Sequence, residues 1–159
     1  MASPVIGFIG LGLMGGNMVE NLQKKNFEPI VMDLSKEAVA AVVARGASEA
    51  ASAAELAAQC DIIMLCLTTS TVVEKVVYGE DGLLAGIKEG AVVIDFGTSI
   101  PASTRKIGAD LAAKGAGMVD AALGRTPTHA IDGLLNIMAA GDQETFDKVK
   151  PILDMQGEN

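Results

Sequence analysis

Aromatic residues are nearly missing from this chain. They make up 3% of its 159 residues, with no Trp, one Tyr and four Phe. A core must therefore be assembled mainly from Ala, Val, Ile, Leu and Met. Apolar residues of all kinds fill 50% of positions. That balance suits strands buried on both faces beneath helices, as in a parallel sheet. Positive charge is also short: 12 Lys and Arg against 20 Asp and Glu leave a net charge of -8. This excludes a broad nucleic-acid surface, because phosphate binding needs a basic face. Anions are left with local sites, made of backbone N–H groups or a placed Arg.

Cysteine is scarce too. Cys60 and Cys66 fit no zinc-ligand spacing. Cys66 lies in the apolar run Ile62-Ile63-Met64-Leu65-Cys66-Leu67 and reads as a small buried hydrophobe. A reduced, cytoplasmic protein is expected. The opening Met1-Ala2-Ser3-Pro4 lacks the basic and apolar parts of a secretory leader. No apolar run approaches the ~20 residues of a membrane span. Nothing in the composition marks a linker or a repeat, so residues 1–159 read as one domain.

What is present is an alternation of strands and helices. Val5–Ile9 reads as the first strand, and Met14, Met18 and Leu22 place a helix over Met14–Lys25. Pro29–Met32 is a second strand, ending at Asp33. Ser35 caps a helix to Arg45 that Gly46 stops, and Ser52 with Glu55 forms a capping box for a helix to Gln59. Ile62–Leu67 is a strand, Thr68–Thr71 a polar turn, and a helix runs on to Val77 before Gly79–Gly82 breaks it. Ala91–Asp95 is a strand, and Pro101 opens a helix to Lys114. Met118–Ala121 and Leu134–Ala139 are further strands, and a last helix starts near Asp142 and ends near Met155. The short tail after it is not expected to return to the sheet. This order predicts an α/β, Rossmann-type doubly wound fold, mostly parallel and in three layers.

Gly10-Leu11-Gly12-Leu13-Met14-Gly15 is a G-x-G-x-x-G sequence between a predicted strand and a predicted helix. Gly10 permits the tight turn, Gly12 lets backbone approach a pyrophosphate, and Gly15 lets helix and strand pack closely. The helix mouth offers Leu13 and Met14 N–H groups and a positive dipole end to phosphate. Asp33 ends the second strand 18 residues after Gly15, close to the ~20 expected of an acid that receives ribose hydroxyls. A carboxylate there repels a 2′-phosphate. Lys36 is the one nearby cation and is expected to face solvent. NAD is therefore favoured over NADP, although the glycine motif alone also admits FAD. Ligands in open α/β sheets lie beyond the carboxyl ends of strands. That places Leu67 at the adenosine side and Thr98 near the nicotinamide ribose.

These residues also carry a resemblance. Gly7–Gly15 with Met18, Asn21 and Leu22, then Asp33, Gly79–Gly82, Val93–Asp95 before Thr98, Asp120-Ala121, Ala130–Leu134 and Gly141-Asp142, resemble the β-hydroxyacid dehydrogenases along essentially the whole chain. The family includes 3-hydroxyisobutyrate dehydrogenase and the NAD-binding part of 6-phosphogluconate dehydrogenase. The resemblance implies hydride transfer between NAD(H) and a small 3-hydroxy acid or its semialdehyde. It also implies a catalytic lysine in a later Gly-x-Gly-x-x-x-Lys-x-x-Asn segment, beyond Asn159. On this reading the chain is an N-terminal half that holds no catalytic residue. The helical C-terminal domain is absent from it, and alone it is a cofactor-binding module with little or no turnover.

One segment departs from the family pattern. Where most members have Asp-Ala-Pro-Val-Ser-Gly-Gly, this chain has Asp120-Ala121-Ala122-Leu123-Gly124-Arg125-Thr126. The Gly-Arg-Thr form resembles the branch that contains sulfolactaldehyde reductase, which implies that Arg125, with Thr126, holds the substrate's carboxylate or sulfonate. A guanidinium fork suits such a group. His129, the only histidine, falls in a loop beside these residues and is assigned no chemistry. No metal is expected. An apolar face at the sheet's carboxyl edge, left for a helical half to cover, predicts homo-oligomers.

Overall fold

The computed structural model describes residues 2–158; Met1 and Asn159, where the leader and tail readings begin and end, lie outside the described residues. Strand β1 (Ile6–Ile9) is buried along its whole length, as an apolar run at a sheet's centre should be. The chain passes through the glycines into α1 (Leu13–Lys24), whose buried stripe includes Gly15, Met18 and Leu22. Strand β2 (Ile30–Met32) leads through Asp33 to α2 (Lys36–Val43), where Ser35 accepts a capping bond from the Ala38 N–H. This helix stops short of the expected Arg45, and Gly46 turns the chain at φ 108°.

Two small elements had no sequence signal. Strand β3 (Ser48–Glu49) is two exposed polar residues, too short to show a period. Helix α5 (Leu83–Gly86) is a single turn after the Gly79–Gly82 break. Between them, α3 (Ala53–Gln59) starts at the expected Ser52 cap, and β4 (Ile62–Leu65) ends before the expected Leu67. Helix α4 (Ser70–Tyr78) begins inside the segment expected to be a turn, because Thr69 caps it by accepting from the Val72 N–H. Strand β5 (Val92–Asp95) and α6 (Pro101–Ala113, with Pro101 in the first turn) follow expectation.

Three expectations near the end are corrected. Strand β6 (Gly117–Gly124) runs past Ala121, because it is matched residue for residue by antiparallel β7 (Asn136–Ala140). The Thr126–His129 loop is instead the start of a helix, α7 (Pro127–Asp132), with Pro127 at its first position and a Thr126–His129 capping box. The tail after α8 (Gln143–Gln156) does touch the sheet: Gly157 bridges Leu135 in parallel, and the Glu158 N–H donates to the Leu135 carbonyl at 3.0 Å.

The strand order is β3-β2-β1-β4-β5-β6-β7, parallel except for β7. That is the doubly wound Rossmann order, reversing direction between β1 and β4. Two cores sandwich the sheet. One joins Phe8, Met64, Ile94 and Val119 to Met18 and Leu22 of α1 and to Val149 and Ile152 of α8. The other joins Ile9, Ile63, Leu65 and Val93 to Leu56, Val73 and Ile107 of the helices opposite. Alternate residues of each strand go to opposite faces, so the sheet is the middle of three layers. Among the described residues no helix is long and apolar enough to cross a membrane.

A buried polar joint locks the ends of the chain together. Asn21 donates to the Met155 carbonyl at 2.7 Å and to the Gln156 side chain at 3.2 Å, while Gln156 donates to the Met18 carbonyl at 3.2 Å. Asn21 and Gln156 are 2% and 0% exposed. Polar groups so buried need these partners, and together they hold α8 against α1.

Candidate functional site

The three glycines of the β1–α1 turn meet three different surroundings. Gly10 has φ +99°, and a Cβ there would lie 2.2 Å from the Cys66 carbonyl oxygen. A Cβ on Gly15 would lie 1.9 Å from the Gly10 carbonyl oxygen, so α1 approaches β1 as closely as backbone allows. A Cβ on Gly12 meets nothing within 4 Å. Gly12 is therefore bare where the other two are crowded: its open side faces away from the protein, at the mouth of α1. Leu13 and Met14 occupy the first turn there, where N–H groups have no acceptor within a helix. A diphosphate fits this arrangement of free donors, dipole and missing side chain.

Asp33 stands beside the turn. Its Oδ2 accepts from the Leu11 N–H at 2.6 Å and its Oδ1 from the Ser35 N–H at 2.7 Å. The carboxylate thus pins the glycine turn to the end of β2 and keeps lone pairs free for further donors. Lys36 is engaged elsewhere, in an ion pair with Glu49 of β3. Gly10, Asp33 and Leu67 line one cleft of about 610 Å³, together with Leu34, Val72 and Val76. It lies at the β1–β4 crossing, where the strand order reverses. A smaller hollow of about 360 Å³, between α6 and α8, includes Gly90 and Gly117 at the opposite edge of the sheet. The sequence reading missed Leu34, Val72 and Val76 as cleft walls. Val72 and Val76 form an i, i+4 pair on α4, a signal that also describes ordinary core.

The remaining expected residues are placed apart from that cleft. Thr98 is exposed in the β5–α6 connection. Arg125 adopts φ 73°, a left-handed conformation that non-glycine residues rarely take outside constrained sites. Its guanidinium donates to the Leu134 carbonyl at 2.6 Å and pairs with Glu158 at 2.7 Å. Thr126 caps α7, its hydroxyl 2.7 Å from His129 Nδ1, so the histidine serves the helix start. Asn17 of α1 donates to the Pro127 carbonyl at 2.8 Å and ties α7 to the glycine-turn helix.

Acids also collect at the ends of β5 and β6. Asp95 and Asp120 are paired in register, and burial with the nearby Asp95 charge raises the Asp120 pKa. Burial also pushes the thiol of Cys66 up to about 11 and that of Cys60 to about 12, so neither is a ready nucleophile. Among the described residues no group of three or more His, Cys, Asp or Glu is arranged to hold a metal.

Fold and site together define a Rossmann-type dinucleotide-binding domain. Residues 5–159 match the family described as the NAD binding domain of 6-phosphogluconate dehydrogenase, and the chain belongs to that family. It is 40% identical to the 3-sulfolactaldehyde reductase of Escherichia coli over 152 residues, which is 96% of this chain and 51% of that protein. It is 39% identical to the NAD-dependent L-serine dehydrogenase of Pseudomonas aeruginosa, over 97% of this chain and 52% of that protein. The crystal structure of 3-hydroxyisobutyrate dehydrogenase from Salmonella typhimurium superposes with a TM-score of 0.92 at 30% identity, covering 99% of this chain and 55% of that one. The chain spans about half the length of the curated relatives it matches.

Proposed function

We propose that residues 1–159 form the NAD-binding part of a hydroxyacid dehydrogenase whose substrate is a small 3-hydroxy acid or its semialdehyde, bearing a carboxylate or sulfonate. One observation carries this reading: the open side of Gly12 at the mouth of α1, with the Asp33 carboxylate next to it. Gly10, Gly12, Leu13, Met14 and Gly15 receive the diphosphate. Asp33 receives the adenine ribose, Leu67 the adenosine side, and Thr98 the nicotinamide ribose. NAD is preferred to NADP because Asp33 repels a 2′-phosphate. When bound, NAD supplies the acceptor and donor of hydride for interconverting alcohol and aldehyde.

Arg125, with Thr126, is assigned to the acid group of the substrate. Two facts support it. The guanidinium already holds a carboxylate, that of Glu158. Two similar proteins are named for sulfolactaldehyde and L-serine, compounds that carry acid groups. None of the lysines in residues 1–159 stands in the Gly-x-Gly-x-x-x-Lys-x-x-Asn segment that the family resemblance implies for proton exchange. These 159 residues are therefore expected to bind cofactor and to turn over little. A reducing, cytoplasmic setting and self-association complete the proposal.

Calorimetric titration of the folded chain with NADH and with NADPH tests the core of it. Saturable NADH binding, with NADPH at least about tenfold weaker, is expected; a tenfold ratio corresponds to about 1.4 kcal/mol. No heat with either nucleotide overturns the reading, and tighter NADPH overturns the role of Asp33.

A further inference from the structure

Asp95 is 0% exposed and is the only buried carboxylic acid among the described residues. A buried acid costs free energy that an apolar side chain of similar size does not, so its contacts show what it is for. Both contacts run forward into the connection between β5 and α6. The Gly97 N–H donates to Oδ1 at 2.9 Å, and the Ser99 hydroxyl donates to Oδ2 at 2.6 Å. A third bond fixes the far end: the Ile100 N–H donates to Oγ of Ser70, itself buried, at 2.7 Å. Gly97 packs in between, where a Cβ would lie 3.1 Å from both Asp95 Oδ1 and the Leu67 carbonyl oxygen. The connection is thus held at both ends and pressed against the loop that carries Leu67. None of these bonds is needed to form β5, which pairs through backbone, or α6, which Pro101 opens. What they determine is the path of residues 96–100, with Thr98 left exposed upon it.

We infer that Asp95, Ser99 and Ser70 form a clamp that positions Thr98 for the nicotinamide-ribose end of the dinucleotide. They are positioning residues: they act through the loop and not by touching the ligand. The inference rests on the cofactor reading above. It requires that loosening the clamp weaken one end of the ligand and spare the other.

NADH and ADP separate the two ends, because ADP carries only the adenosine diphosphate part. Calorimetry compares the unaltered chain with the double variant Ser70→Ala, Ser99→Ala. The NADH dissociation constant is expected to rise about tenfold, the effect of losing one or two good hydrogen bonds, while that for ADP stays within about twofold. Ser99→Thr alone keeps the hydroxyl and is expected to bind NADH as the unaltered chain does. Ser99→Ala alone removes the bond to Oδ2 and serves if the double variant unfolds; the same split, smaller but in the same direction, is expected. Equal weakening of NADH and ADP, or no weakening of either, overturns the clamp while leaving the cofactor reading in place. An unaltered chain that binds neither ligand removes the cofactor reading and the clamp with it.

Discussion

At the scale of single residues, Gly12 and Gly15 offer a test that separates the proposed binding role from folding. Gly12 has φ -63°, open to any residue, and empty space where a side chain would grow. Gly12→Ala is expected to change stability by less than about 0.5 kcal/mol, as exposed substitutions do. If the diphosphate lies at Gly12 as proposed, the variant weakens NADH binding at least about tenfold, because the methyl fills the space left open there. Gly15→Ala presses a methyl into the Gly10 carbonyl and is expected to cost about 1–3 kcal/mol or more. Urea denaturation and NADH titration of the two variants check the pair. Stability loss in Gly12→Ala equal to that in Gly15→Ala would remove the distinction between them.

Asp120 gives a test by pH. Burial and the adjacent Asp95 raise its pKa in the folded state. A carboxyl group raised in this way binds protons more tightly folded than unfolded, so stability falls as pH rises from the unfolded value through the folded one. Asp120→Asn removes that dependence. The variant is expected to be more stable than the parent at pH 8, with the difference shrinking toward pH 4, in denaturant titrations at the two pH values. A constant difference at both would show that its ionisation is not what matters there.

At the scale of elements, the joint between α1 and α8 is built from polar groups in an apolar setting. Asn21→Ala leaves the Gln156 amide short of a partner and the Met155 carbonyl with only Lys25. Leaving buried groups unpaired costs about 1–3 kcal/mol. The loss should appear as a lower urea midpoint, and hydrogen exchange should be faster in α8 than in β1 or β4. Unchanged protection of α8 would count against the joint. The pattern of the sequence had placed nearly every long element within a few residues, because strands buried on both faces and helices with one buried stripe differ in period. It failed at β3 and α5, which are shorter than any period. It failed again at α7, where Pro127, Thr128 and His129 read as loop although Thr126 and His129 together form a cap. A capping box is recognised more readily by Glu or Gln at its third position than by His.

At the scale of the molecule, exposed apolar residues stand at several strand and helix ends. Leu13, Leu34 and Ile100 are 76%, 97% and 64% exposed, and Met138 on edge strand β7 is 58% exposed. Scattered single residues of this kind are ordinary on a protein surface, so the proposed self-association needs a direct test. Light scattering of the folded chain is expected to show a mass that rises with concentration. A constant monomer mass across the range would end the proposal of self-association. A second expectation concerns turnover: with NADH and small semialdehydes this chain should show little activity, since a placed general acid or base contributes roughly 10²–10⁴ in rate. Robust turnover by these residues alone would show that the proton is moved by a group within them.

The glycine turn, the acid at the end of β2 and the alternation of strands with helices could be read from residue types alone. Each is a local requirement: a φ only glycine adopts freely, a carboxylate at a set spacing, a period of apolar residues. The tertiary structure decided what those residues touch. It bound the Asp33 carboxylate to Leu11 and Ser35, tied Lys36 to Glu49, gave Arg125 a carboxylate partner, and turned the tail back to Leu135. It alone showed that Asp95 is buried and holds the loop of Thr98. These contacts join positions whose spacing follows no period, so they exist only once the sheet has brought distant segments of chain together.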